Sequence, residues 1–580
     1  MESSNLRTSH SSNRTIVVGI DFGTTFSGIA WAETEIDSEP RLINDWPTSR
    51  TDNEESGCKV PTILRYLKKG QFEWGYQIPY GTKPQDILSL FKLGLEPDKF
   101  MSSIDTIGKP LNFDNIDQKI THYLTGLFEH FRNAFNKLIG TENTLQSSPV
   151  KFVLTVPAIW SDRAQQRTIE AFERIPNLPK DHSTVLLSEP EAAAIAALRA
   201  INPRDLKVNE SLIIVDAGGG TVDLITYTIK SLHPILEVVE ATRGTGDFCG
   251  SSRVNDRFIQ FLASRLGAEE GWDEDVLYDA TKRKFNMDSL IQKEAFLIPV
   301  LGLNPNVDLR IKPRGRLELR AEELHKFFEP DIVRIIQLVK QQIAMSDVPI
   351  RKILLVGGYG SSMYLRERLQ IAVQSDAFFG DGIEILQPPN AWTAVVNGAV
   401  IKGMSIVKPG NHDIPVVKAR VGRKHYGYEF SVVFDKSKHE SLRSKMYYDD
   451  LDGNWRVPVM HWIIKRGELV SEGKPFRKIF HHRMRVSSGR PRMVKLQVYA
   501  DEVSDVPPLS RNNNVKAICL VTADLSHIPE GKFIKKVGHN GEMYYNVEFQ
   551  IESICSLIPI STLWVFADDY QIGLLRLSTL

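Results

Sequence analysis

Paired cysteines, a long apolar run and an excess of charge of either sign are all missing from this 580-residue sequence. The four cysteines, Cys58, Cys249, Cys519 and Cys555, lie far apart and form no CxxC pair. That argues against a zinc site or a disulfide framework and for a reducing compartment. No stretch reaches the roughly eighteen apolar residues of a membrane span, and the run at 16–20, ended by Asp21, is too brief for a secretion signal. Lysine plus arginine equals aspartate plus glutamate at 71 each, so bulk charge favours neither nucleic acid nor a membrane surface as partner. No Ser-His-Asp or Cys-His nucleophile arrangement is legible. What remains is an ordinary globular protein, expected in the cytoplasm or nucleus, whose function must come from local sites.

The length is too great for one hydrophobic core and predicts three or four structural units. From Thr15 to about Met404, short β-branched runs (TIVVGI, KFVLTVP, SLIIVDAG, KILLVGG) alternate with amphipathic helical patterns. One such helix is expected from Ile120 to Ile139, with Leu124, Leu127, Phe128, Phe131, Phe135 and Leu138 on one face. Beyond Pro409-Gly410 the texture changes to short strands separated by turn clusters, including FSVVF, MVKLQVYA, KAICLVTADL and MYYNVEFQI. The expected organisation is a flexible tail at 1–14, an α/β domain at 15–405, a linker at 406–415 and a small β-rich domain at 416–580. The basic stretch at 474–495 reads as the solvent face of strands, since aromatics suited to base stacking are sparse in it, with an anionic partner or RNA as the alternative. His481 and His482 inside it are a poor metal site, since adjacent strand residues point to opposite faces.

A weak internal duplication carries the chemistry. VVGIDFGTTFSGIAW near the start is echoed by LIIVDAGGGTVDLITY about two hundred residues later, dividing the α/β domain into halves at about 15–205 and 206–405. Each copy is a strand, an aspartate, a Gly/Thr turn and a second strand. Gly23, Gly218, Gly219 and Gly220 let backbone amides converge on phosphate oxygens, and Thr24, Thr25 and Thr221 add hydroxyls. Asp21 and Asp216 open the two turns, where a carboxylate can hold magnesium through its waters. Two such hairpins facing each other would clamp ATP or ADP with one Mg2+. At a third site, ILLVGGYG, Gly357 and Gly358 stand at a strand-to-helix turn where a flat nucleoside can lie against the backbone.

Taken together, GIDFGTTFSG (19–28), VLTVPAIWSDRAQQRT (153–168), SEPEAAAIAAL (188–198), IVDAGGGTVDL (214–224) and LLVGGYGSSMYLRERL (354–369) resemble the seventy-kilodalton heat-shock protein family, within the actin and sugar-kinase ATPase superfamily. The resemblance implies a duplicated actin-like, ribonuclease-H-like fold with four subdomains around a nucleotide cleft. It implies catalytic roles for Lys92, Glu189, Asp216 and Asp223. It also implies nucleotide contacts from Gly250 in GTGDFCGS, from Lys282 beside the ribose, and from Tyr359 in the adenosine loop. Client peptides, co-chaperones and nucleotide-exchange factors are the partners it implies.

The sequence also departs from the family. Tyr359 and Ser361 stand where the adenosine loop usually has Ser and Arg, Trp392 replaces an aspartate, and Phe26 replaces a common tyrosine. MSIVKPGNHDIPVVK lacks the acidic-leucine linker, and the sequence after the β-rich region leaves no room for a helical lid. The expectation is a lidless, chaperone-like ATPase. The alternatives are a nucleotide-gated scaffold with negligible hydrolysis and, with weaker support, a metabolite kinase.

Overall fold

The echoed strand–turn–strand segments fold into two hairpins built alike. In the first, Ile16–Asp21 pairs antiparallel with Phe26–Glu33, with Asp21 opposite Gly28. In the second, Ser211–Ala217 pairs antiparallel with Val222–Ser231, with Asp216 opposite Asp223. Two parallel strands then extend each sheet: Val150–Val156 and His182–Ser188 beside the first hairpin, Ile350–Val356 and Glu384–Leu386 beside the second. Ile16–Asp21 is buried along its whole length because both faces are covered, which is why it reads as a continuous apolar run. Each half adds a small three-stranded sheet, Ile63–Tyr66 with its neighbours in the first and Arg316–Arg320 with its neighbours in the second. The result is the duplicated actin-like fold with its four subdomains.

This computed structural model describes residues 14–35, 37–48, 57–79, 81–97, 114–139, 144–201, 205–272, 295–410, 413–472, 474–554, 563–567, 570–572 and 576–579. The chain divides into two units, Met1–Glu237 with Gly244–Val416 and Val238–Arg243 with Val417–Leu580. The expected helix is Ile116–Ile139; it starts a turn earlier than its apolar pattern, and Leu138 is exposed rather than on the buried face. Serine N-caps fix two helix starts near the cleft: Ser188 accepts from the Glu191 amide and Ser362 from the Leu365 amide.

The helix Ala394–Val407 follows the last strand of the second half yet packs on the first. A Cβ at Gly19 would lie 2.8 Å from the Val396 carbonyl, one at Gly398 only 1.7 Å from the Ala192 carbonyl, and one at Gly403 2.4 Å from Val17. Glycine at these three positions lets helix and sheet approach to backbone contact.

In the second unit, Tyr447–Asp449, Asn454–Ile464, His425–Val433, Met493–Asp501, Lys516–Asp524 and Arg576–Thr579 form one antiparallel sheet. Pro475–Arg485, Met543–Ile554, Leu563–Ala567 and Tyr570–Ile572 form another, with Ile534–Val537 also paired to Met543–Ile554. Side chains from both sheets share one core: Phe430 stacks on Phe480 at 4.3 Å, beside Tyr428, Val498, Val521, Tyr545 and Val547. That is a β-sandwich. Arg483 and Arg485 of the basic stretch are ion-paired with Asp449 and Asp450.

Candidate functional site

The two glycine turns meet at the mouth of a cavity of about 480 Å³. A Cβ on Gly219 would fall 1.9 Å from Thr25 Oγ1, and one on Gly220 2.7 Å from Thr24 Cγ2, so the turns touch and tolerate no side chain. The carbonyls of the second turn are occupied on its outer side: Gly250, Ser251 and Ser252 donate their amides to Gly220, Gly218 and Gly219 at 3.2, 3.2 and 2.8 Å. The amides of Thr24, Thr25, Gly219 and Gly220 have no backbone acceptor among the described residues. Free donors grouped with threonine hydroxyls make an anion-binding concavity.

Asp21, Gly23, Thr24, Thr25, Glu189, Asp216, Gly218, Gly219, Gly220, Thr221, Gly357, Gly358 and Tyr359 all line this cavity. Gly357 takes a positive φ of 85°, and a Cβ there would lie 2.5 Å from Asp216 Oδ1, so the third glycine site abuts the second aspartate. Tyr359 and Gly360 both donate their amides to the Ala217 carbonyl, tying that loop to the second hairpin.

Three expected site residues stand behind the wall rather than in it. Lys92 is wholly buried, donates to Glu189 Oε1 at 2.7 Å and lies over the Trp160 and Phe22 rings at 4.9 and 5.4 Å. Asp223 is buried and accepts the Ala158 amide at 3.1 Å. Gly250 supports the second turn from outside; a Cβ there would sit 2.5 Å from the Gly219 carbonyl oxygen. Lys282 lies outside the described residues.

Electrostatics follow from burying four carboxylates together. Burial lifts the Asp216 carboxyl well above the usual range, with Glu189, Asp223 and Asp21 adding to the rise and Lys59 opposing it. Burial, then Glu189, pushes Asp223 up to about 7, against the Thr221 hydroxyl, Lys92 and the Ala158 amide. Glu189 is raised by burial and held back by Lys92. Among the described residues, no group of three or more His, Cys, Asp or Glu side chains is arranged to hold a metal ion directly.

Sequence reasoning missed Lys59, buried with its ammonium 2.5 Å from Asp21 Oδ2. It also missed Val254, Asn255, Phe328 and Val395, which line the cavity with Tyr359 and Trp392. Trp392 meets Phe26 edge-on at 5.8 Å and lies 3.2 Å from where a Gly358 Cβ would be. The lining thus combines polar and charged groups with apolar and aromatic ones. Such a mixture suits a ligand that joins a polar, anionic group to a flat apolar one.

Paired hairpins opening on one cavity define the actin-like class of cleft proteins. Residues 135–407 match the family model for Hsp70 protein, and residues 420–542 match a model described as a domain of unknown function. The chain is 24% identical to mouse heat shock 70 kDa protein 12A, across 79% of this chain and 78% of that protein. It is 23% identical to human heat shock 70 kDa protein 12B, across 80% and 78%. Against chaperone protein DnaK of Stenotrophomonas maltophilia (strain R551-3) the identity is 25%, across 80% and 71%. These matches support an atypical member of the Hsp70 family. What they support of function is that of the family, a nucleotide-binding, chaperone-type ATPase.

Proposed function

We propose that the cleft binds ATP or ADP with magnesium and hydrolyses ATP by water attack on the γ-phosphate. The observation that carries this is the cavity lining, where both glycine turns, their amides without a backbone acceptor among the described residues, come together with Thr24, Thr25 and Thr221 and with Asp21, Glu189 and Asp216. Phosphate oxygens would be recognised by such amides and hydroxyls, and the base by the aromatic side chains of Tyr359 and Trp392. Magnesium, when bound, would neutralise the phosphate charge. Asp216 and Asp21 would hold it through waters, which fits two carboxylates that line the cavity without forming a direct metal-ligand cluster among the described residues. Lys92 and Glu189, ion-paired at one wall, would set the charge around the attacking water.

The test is steady-state phosphate release by wild type, Asp216→Asn and Lys92→Ala. Wild-type turnover above both variants supports hydrolysis; equal rates refute it. A second reading, nucleotide binding with negligible hydrolysis, is favoured by Lys92 being spent on Glu189 without lining the cavity. It predicts ATP–magnesium binding by calorimetry with turnover at background.

Client peptide is the proposed ligand of the β-sandwich, by analogy with the family. Turnover measured with and without an unfolded peptide tests that coupling; no change in rate would refute it. No helix among the described residues is long and apolar enough to cross a membrane. A reducing, cytoplasmic setting fits the three described cysteines, none of which forms a disulfide among the described residues.

A further inference from the structure

Two lysines are buried at this site, and only Lys92 was expected there. Lys59 reaches the cavity because its backbone is fastened to the first hairpin. Val60 and Pro61 pair with Ser27 and Phe26, the Thr62 amide donates to the Thr25 carbonyl at 2.8 Å, and the Tyr76 hydroxyl donates to the Lys59 carbonyl at 3.3 Å. Its stem passes over Gly28, where a Cβ would come within 3.1 Å of Lys59 Cγ. The ammonium then ends on Asp21 at the cavity wall, with the side chain 7% exposed.

The charges divide unevenly. Asp21 is matched by Lys59 and Glu189 by Lys92, whereas Asp216 and Asp223 have no lysine or arginine in ion-pair contact among the described residues. A buried ion pair adds little to stability over an apolar pair of the same shape, so stability is a weak reason for keeping Lys59 there. An ammonium carries three donors, and the bond to Asp21 uses one.

We propose that Lys59 is a resident cation of the nucleotide site, donating to phosphate oxygens beside the first turn, so that the cleft holds a nucleoside diphosphate without magnesium. Of the two aspartates that open the turns, a divalent metal is left Asp216, which has no lysine or arginine in ion-pair contact among the described residues. This rests on the reading that the cleft binds nucleotide, and it goes beyond it by assigning the first turn's charge balance to a side chain instead of a metal.

The experiment is calorimetric titration of the full chain with ADP, in excess magnesium and in excess EDTA, for wild type, Lys59→Met and Lys59→Arg. Wild type is expected to lose no more than about tenfold in affinity when EDTA replaces magnesium. A charge-assisted hydrogen bond contributes about 1.5–3 kcal/mol, so Lys59→Met should bind about ten- to a hundredfold more weakly than wild type in EDTA. Lys59→Arg should recover most of that loss. Binding by wild type in magnesium that vanishes in EDTA overturns the inference, as does a Lys59→Met affinity equal to wild type in EDTA. The wild-type comparison decides the matter alone if Lys59→Met does not fold. No ADP binding in either buffer overturns the nucleotide reading itself, and the inference with it.

Discussion

Replacing Lys92 by Met isolates the Lys92–Glu189 pair. The substitution keeps a side chain of similar length but removes the ammonium, which lies 2.7 Å from Glu189 Oε1 and over the Phe22 and Trp160 rings. Truncating one partner of a buried pair typically costs 3–5 kcal/mol, because the other charge is left unpaired. Here the loss has a ceiling, since Glu189 can take up a proton. Protonating a carboxyl whose ordinary value is 4.5 costs about 3 kcal/mol at pH 7, at 1.36 kcal/mol per unit. Burial raises Glu189 already in wild type, so as pH falls both proteins come to carry it neutral and the difference closes. The variant should therefore be destabilised by up to about 3 kcal/mol at pH 7 and by progressively less as pH falls toward 4.5. Urea unfolding of the full chain at several pH values, followed by tryptophan fluorescence, measures this. Adding Glu189→Gln should return most of the loss at pH 7, because neither charge then remains. A destabilisation independent of pH, or a double variant as unstable as the single one, would refute the argument.

Gly250→Ala should lower stability by about 1–3 kcal/mol, since its Cβ meets only backbone of Gly219 and Gly220 and nothing there can rotate away; a thermal melt with unchanged Tm would count against it. Asp223 and Asp216 have folded-state values raised above 3.8, so they favour the neutral form in the fold. Their contribution to stability should be fully present below about pH 4 and shrink as pH rises through 7, and a shallower pH 4–7 slope in Asp223→Asn than in wild type tests it. Tyr359→Phe should leave stability unchanged or raise it, because the buried Tyr359 hydroxyl has no hydrogen-bond partner among the described residues. A loss above about 1 kcal/mol in urea would show that the hydroxyl is satisfied.

The hairpins were legible because their signal is local: an apolar strand, an aspartate and glycines that no other residue can replace. Gly219 and Gly220 shed light on why, since each faces a threonine of the other turn. Lys59 was not legible, because what makes it functional is a pairing of residues 60–61 with 26–27 across a gap in sequence. The only local trace was a lysine beside a proline in KVPTILRY, which reads as an ordinary exposed strand end. Phe328 and Val254 were hidden differently. They sit on helical apolar faces, where a pocket wall and a core position carry the same pattern. Gly250 shows the converse: its glycine was found, but its task is support of the turn from behind and not contact with the cavity.

The helix Ala394–Val407 bears on how the chain is made. Its glycines press it onto strands and a helix formed by residues 16–200, so one face of the first half's sheet lacks this cover until residue 407 has been synthesised. Folding from the N-terminus as synthesis proceeds must leave that apolar face open while the whole second half emerges. The two halves therefore mature together rather than in turn, although each repeats the other's strand order.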